Sequence, residues 1–402
     1  MAVYDTIRLP KKARVEDDYK LRLWYRLPGE ARVERNIKME QIMTNRLDRG
    51  FMRYQNEFEE AALRVLRSGW YITGRELTAF EEAYAAYCGA SYCVGCGNGL
   101  DALTLACRAI GCGKGDEVIV QGNTFIASVM GISIAGATPV FAEPDENYQL
   151  DPAGIEEKIT ENTKAVMVVH LYGQAAKMEE IAAVCRKHKL KLIEDCAQSH
   201  GARYHGKMTG TFGDIGCFSF YPSKNLGCFG DGGAVITNSE EYRDRIRLLR
   251  NYGSKVRYYN EEVGMNSRLD EIQAALLSVR LKHLPELIEE RRELAKRYLA
   301  GIQNEKIHLP QLQEGADHVF HQFVLRCKDR DALMKYLEER KISTIIHYPV
   351  PPHLAQAYAD LGYREGDLPI TERYAKEVVS IPMFNGLTRE EQDYVIDAIN
   401  AF

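Results

Sequence analysis

From about position 54 onward the chain alternates amphipathic stretches with short apolar runs. Residues 54–68 and 76–87 carry apolar side chains at helical spacing, and each stretch stops at a glycine, Gly69 and Gly89. Strands and helices are then expected in turn. The strands fall at 91–95, 117–121, 138–142, 164–170 and 191–194, and the helices at 101–110, 125–134, 152–158 and 178–188. Strands joined by crossover helices make a mostly parallel sheet covered on both faces. After Phe212 the rhythm changes. Strands at 215–220 and 233–237 flank a glycine-rich turn, and a long charged helix follows over about 269–299, with a kink expected near Pro285. A strand at 320–327, a helix at 331–340 and a terminal helix from Arg389 make a smaller α+β region. The expected organisation is an N-terminal arm (1–50), a large α/β domain (51–290) and a small C-terminal domain (291–402).

Composition narrows the function classes. The arm is predicted because its many charged residues show no clean periodicity. A net charge of −5 over 402 residues implies neither nucleic-acid wrapping nor binding to an anionic membrane. No apolar run approaches the roughly 20 residues that span a bilayer. The N-terminus lacks the apolar stretch of a secretion signal, so a cytoplasmic protein is expected. Its ten cysteines then read as reduced core thiols. Cys93 and Cys96 form a lone CxxC with no second ligand pair; buried strand thiols are preferred there over a zinc or redox site, and no metal is expected.

Candidate chemistry concentrates in LIEDCAQSHGARYHGKMTGTFGDIGCFSFYPSKN, residues 192–225. Asp195 ends an apolar strand, where parallel sheets place ligand sites. Alone, it would be read as a cap of the next turn. Lys224 sits in a turn of small residues; alone, a lysine is a solvated charge. Together they fit pyridoxal 5′-phosphate (PLP), which needs a lysine amine to hold it and an acid to keep its pyridine nitrogen protonated. The protonated ring is the electron sink that makes an amino acid's α-proton removable, and the released amine then serves as general base. Phe220, Tyr221 and Pro222 offer the partial desolvation that frees an amine whose ordinary pKa is about 10.4. The turn GCGNGLD, residues 95–101, offers a phosphate its backbone N–H groups and a helix N-terminus; a tight βα turn without a ligand explains it equally. It is not a full GxGxxG, because Leu100 stands where the third glycine belongs. Ser219 and Ser223 are hydroxyl candidates for the same anion. Phe125 either stacks on the cofactor ring or belongs to the core.

The motifs GNGLDAL, IEDCAQSHGA, FSFYPSKNLG, GDGGAVITN and GMNSRLDEIQAA resemble, in order and spacing, the sugar-nucleotide aminotransferases of the DegT/DnrJ/StrS type, from roughly Tyr54 to the C-terminus. The resemblance implies the α/β fold of fold-type-I PLP-dependent transferases. That fold has a large domain with a mixed, mostly parallel seven-stranded sheet flanked by helices and a smaller C-terminal α+β domain. It also implies a homodimer with shared active sites. By the same resemblance Lys224 bears the cofactor, Asp195 partners the pyridinium, Gln198 approaches the phenolic oxygen and Phe125 stacks on the ring. The amides of Gly99 and Leu100 and the Ser219 hydroxyl take the phosphate, with Asn266 reaching it from the neighbouring subunit. Many relatives have Thr where this chain has Leu100, so only the backbone contact carries over there.

Two positions within the resemblance bear on the reaction. Dehydratase relatives replace the lysine with His, so Lys224 favours transamination. Members acting at a 4-keto group often read His at the Gln198 position, so AQSHGA is more similar to members that aminate a 3-keto sugar. The segment IHYP, residues 346–349, resembles the part that approaches the sugar nucleotide. His347 and Tyr348 are therefore substrate candidates, with a turn fixed by the prolines as the alternative. Arg268 suits a donor carboxylate or a diphosphate, since either can take two hydrogen bonds from a planar guanidinium. The expected reaction moves an amino group from L-glutamate to carbon 3 of a dTDP-3-keto-6-deoxyhexose, with pyridoxamine phosphate as the half-reaction form. No nucleic-acid or membrane partner is expected. The alternatives are amination of a 4-keto sugar nucleotide or a UDP-linked 3-keto sugar, and a non-catalytic PLP-binding regulatory protein.

Overall fold

The computed structural model describes residues 40–402, so the body of the expected arm lies outside the described residues. Ile42–Phe402 forms one compact unit. Within it, runs such as Val118–Ile119–Val120 and Val166–Met167–Val168 are buried at every side chain. Unbroken burial of this kind belongs to strands covered on both faces. Seven strands make the main sheet: β1 (Tyr92–Cys96), β2 (Glu117–Gln121), β3 (Thr138–Ala142), β4 (Thr163–Val169), β5 (Lys191–Asp195), β6 (Ile215–Ser219) and β7 (Gly233–Thr237). They stand in the order β1-β7-β6-β5-β4-β2-β3. β7 pairs antiparallel with both neighbours, and the other pairs are parallel. The C-terminal ends of β4, β5 and β6 therefore open on one edge, where such sheets bind ligands.

β1 disposes of the CxxC. Strand residues three apart project to opposite faces. Cys93 accordingly packs with Leu77, Phe80 and Phe218, and Cys96 with Leu103 and Val235. All ten cysteines are buried and unpaired. Another cluster, His170, Glu194 and Cys196, has the spacing of a metal site, with its ligand atoms within 4.8 Å of one another. The carboxylate and the imidazole of this cluster are already engaged. Glu194 accepts the N–H groups of Gly210, Phe212 and Gly213, each at 2.7 Å, and faces His170 Nε2 at 3.1 Å. His170 Nδ1 accepts from the N–H of Ala176 at 3.1 Å. The cluster ties the 210–213 turn under the end of β5, and burial of these polar atoms is tolerated because each has a partner.

The long helix runs over Glu271–Gly301, through Pro285, so position 290 falls inside it. Its first carboxylate, Glu271, accepts from the N–H groups of Gly74, Glu76 and Leu77 at 2.7, 3.0 and 3.0 Å. A negative group thereby caps the positive N-terminus of the helix Arg75–Cys88. Beyond it, β8 (Ile307–His308), β9 (Phe323–Cys327) and β10 (Val378–Ile381) form a three-stranded antiparallel sheet. Residues 320–322, expected in a strand, are instead a loop. Phe320 sits at φ 44°, outside the β region. Three further helices were not expected: Leu47–Arg53, Glu240–Leu249 and Pro369–Glu377. Leu368, Tyr374 and Val378 pack into the same core as Val118 and Phe141, so the C-terminal elements rest on a face of the main sheet.

Candidate active site

At the C-terminal ends of β5 and β6 lies a cavity of about 460 Å³, within the size range of cofactor sites. Every expected site residue except Asn266 and Arg268 lines it. The topology does this directly. Asp195 closes β5, Ser219 closes β6, and Gly99 and Leu100 open the helix that follows β1, here α1 (Gly99–Ala109).

Asp195 accepts from Ser128 Oγ at 2.8 Å through Oδ2 and from the Ala197 N–H at 3.1 Å through Oδ1. Burial pushes its carboxyl above the ordinary carboxylate range, against the pull of those two hydrogen bonds. It has no ion-pair partner among the described residues. Lys224 follows β6, its N–H bonded to the Tyr221 carbonyl at 2.8 Å. Burial pulls its amine down to about 8, with the charge of Asp195 working the other way. Lys224 Nζ makes no hydrogen bond or ion pair with a described residue. A buried acid without a cation and a buried amine without an anion thus face one cavity. PLP supplies what each lacks: a carbonyl for the amine and a protonated ring nitrogen for the carboxylate.

The phosphate end is equally explicit. Asn98 caps α1, its Oδ1 accepting from the Asp101 N–H at 2.8 Å. The N–H groups of Gly99 and Leu100 have no acceptor among the described residues and stand at a helix N-terminus beside Ser219. A Cβ on Gly99 would lie 2.6 Å from Ser219 Cβ, so glycine is what lets the helix start touch β6.

On the remaining walls, Gln198 is oriented from both ends. Its Oε1 accepts from the Tyr172 N–H at 2.5 Å, and its Nε2 donates to Tyr348 Oη at 3.1 Å. Phe125 is 50% exposed at the cavity wall, which removes the core reading, and its ring centroid lies 5.1 Å from that of Tyr348. His347 Nδ1 lies 2.7 Å from Ser380 Oγ on β10. Burial, helped by the charge of Lys224, holds the His347 imidazole down to about 4 and hence neutral near pH 7.

Asn266 and Arg268 stand apart from the cavity of their own chain. Asn266 is exposed and bridges Asn251 through the backbone. Arg268 Nη1 donates to Asn251 Oδ1 at 3.2 Å, and its guanidinium lies 5.6 Å from the centre of the Tyr252 ring. Sequence reasoning also missed residues that matter. Ser128, on the first turn of the helix Ile126–Ile134, orients Asp195, and its position just past the end of β2 was the available signal. His321 and Gln322 line the cavity as well, hidden by the strand expected over 320–327.

A mostly parallel seven-stranded sheet, with an acid at one strand end and a lysine in the turn after the next, defines a fold-type-I PLP-dependent transferase. The chain belongs to the DegT/DnrJ/EryC1/StrS aminotransferase family, which matches residues 53–400. It is 54% identical over 352 residues to the dTDP-3-amino-3,6-dideoxy-alpha-D-galactopyranose transaminase of Aneurinibacillus thermoaerophilus, covering 87% of this chain and 96% of that one. Among solved structures, S. venezuelae DesV in complex with a ketimine intermediate matches with a TM-score of 0.89 at 46% identity, over 90% of this chain and 98% of that one. The ntda protein from Bacillus subtilis, with bound pyridoxamine phosphate, matches with a TM-score of 0.84 at 30% identity, over 90% and 85%. The chain is an aminotransferase, and its cofactor is PLP. No helix among the described residues is long and apolar enough to cross a membrane.

Proposed function

We propose that the chain transfers the amino group of L-glutamate to carbon 3 of a dTDP-3-keto-6-deoxyhexose, giving a dTDP-3-amino-3,6-dideoxyhexose. The observation that carries this reading is the pairing of Asp195 with Lys224 in one cavity, in a chain 54% identical to a transaminase named for a dTDP-3-amino-3,6-dideoxy sugar. Glutamine rather than histidine at position 198 supports carbon 3 over carbon 4.

PLP supplies an aldehyde that takes up amines and a ring that accepts electrons. Lys224 would hold the cofactor and, once displaced, its amine would lift the α-proton of the donor and set it down on the cofactor's reactive carbon, then run the same transfer in the opposite direction on the sugar. Its amine is suited to this because burial brings its pKa to about 8. Asp195 keeps the ring nitrogen protonated, and the bonds from Ser128 and Ala197 favour its ionised form. Gln198, whose Nε2 gives one N–H to Tyr348 Oη, would have its second N–H for the cofactor's phenolic oxygen. Gly99, Leu100 and Ser219 would hold the phosphate, and Phe125 would cover the ring. His347 and Tyr348 form the sugar side. Asn266 and Arg268, both outside the cavity of their own chain, serve the neighbouring subunit's cavity in a homodimer. The enzyme works in the cytoplasm, where sugar nucleotides are made.

Adding L-glutamate to the PLP-loaded protein should move its absorbance to that of the amine form, and the keto sugar should restore it. Product NMR should find nitrogen on carbon 3. Nitrogen on carbon 4 would overturn the regiochemistry; no glutamate response would overturn the activity.

A further inference from the structure

We infer that Tyr172 is a positioning residue that ties the cofactor side of the cavity to its sugar side and so sets how tightly the keto sugar is held. The inference rests on the site reading given above. Tyr172 does not line the cavity. It lies buried behind the wall at φ 61°, a backbone region that a side-chain-bearing residue occupies only when its surroundings hold it there. Three of its groups hold three walls. Its N–H donates to Gln198 Oε1 at 2.5 Å, its carbonyl accepts from the Gln322 N–H at 3.3 Å, and its phenol donates to the His347 carbonyl at 2.5 Å.

The surroundings keep this residue from moving. Its ring meets Tyr148 edge-on, with centroids 5.3 Å apart, and Tyr148 packs in turn on Tyr374 at 4.9 Å. Gly173, at φ 104°, follows immediately; a Cβ there would lie 3.0 Å from both the Gln198 carbonyl and the His321 nitrogen. The turn is therefore wedged between two walls of the cavity. Burial pushes the phenol well above its ordinary pKa, so it remains a donor at every working pH.

The chemistry separates the three links. Those to Gln198 and Gln322 come from the backbone and survive side-chain substitution. Only the phenol reaches His347, whose ring has a second tether at Ser380. Tyr172→Phe therefore loosens the sugar wall and leaves the cofactor wall in place.

The test follows each half-reaction separately on the PLP-loaded enzyme. Tyr172→Phe should keep the cofactor spectrum and hold the glutamate half-reaction within about twofold, while raising the keto-sugar KM roughly tenfold, the worth of one buried hydrogen bond. Ser380→Ala, which frees His347 from the other side, should raise the same KM by a smaller factor, and it carries the test if Tyr172→Phe does not fold. An unchanged sugar KM, or an equal loss in both half-reactions, would overturn the inference. A wild-type enzyme that does not respond to glutamate would instead overturn the proposed function, so the two failures are distinguishable.

Discussion

The two ends of the cavity are built in different ways. The cofactor end is built on the main sheet: Asp195 and Ser219 close adjacent strands, Gly99 and Leu100 begin the helix after a third, and Lys224 follows within a few residues. Each position is fixed by strand register or by a hydrogen bond of 2.8–3.1 Å. The sugar end is borrowed. His347 and Tyr348 come from a segment that pairs with β10 at Ile345 and Ser380, and Tyr172 holds it from behind. Tyr221, about half exposed, and the half-exposed Phe125 at the border with the cofactor end leave this end open. A rigid end suits chemistry that every member of such a family must perform, and a strap over an open mouth suits a substrate that differs between members.

This contrast predicts that changes at the cofactor end harm both half-reactions, whereas changes at the sugar end harm one. Lys224→Ala has the largest expected effect. It removes both the attachment point and the general base, and turnover should fall by about 10³-fold or more in each half-reaction, read by single-turnover absorbance. Asp195→Asn comes next. Without the carboxylate the ring nitrogen is no longer held protonated, and both half-reactions should slow by about 100-fold while PLP still binds. If it slowed only the sugar step, the division between the two ends would be wrong.

Acidity gives a third test. Lys224 captures the cofactor only as the free amine, and its folded-state value of about 8 lies below the ordinary lysine value of 10.5. The rate of PLP uptake by the apoenzyme should therefore climb about tenfold per pH unit below 8 and level off above it. A rise that continued to pH 10 would mean that burial does not depress this amine. Gly99→Ala should act through contact alone. A methyl group 2.6 Å from Ser219 Cβ should force the helix start off β6 and weaken PLP binding by about tenfold, measured by cofactor titration. His347→Ala should have the smallest and most selective effect: a several-fold rise in sugar KM. In the wild-type enzyme the pH profile of the sugar KM between 6 and 9 should carry no limb from His347, which stays neutral there because burial holds it near 4.

The same division governs what was legible in the sequence. The main sheet could be read because its strands are short apolar runs and the two helices before it stop at visible signals, Gly69 and Gly89. The cofactor end followed, since Asp195 and Lys224 sit at strand ends that the pattern already located. What stayed hidden depends on distant partners. Glu271 caps a helix nearly two hundred positions earlier in the chain. Arg291, buried without a carboxylate partner among the described residues, donates to the carbonyls of Phe320 and His321 at 3.0 and 3.3 Å and holds as a loop what looked like the start of a strand. Tyr172 looks like an ordinary core aromatic until His347 is seen against its hydroxyl. Such contacts leave no local period in the chain.

The central claim is that the amine of Lys224 and the carboxylate of Asp195 serve a single PLP. Borohydride reduction of the PLP-loaded protein, followed by peptide mapping, tests it most directly. The cofactor should be found covalently fixed to the peptide carrying Lys224, with Asp195→Asn altering the spectrum of the bound cofactor but not the site of attachment. Attachment at any other lysine, or a spectrum indifferent to Asp195, would contradict it.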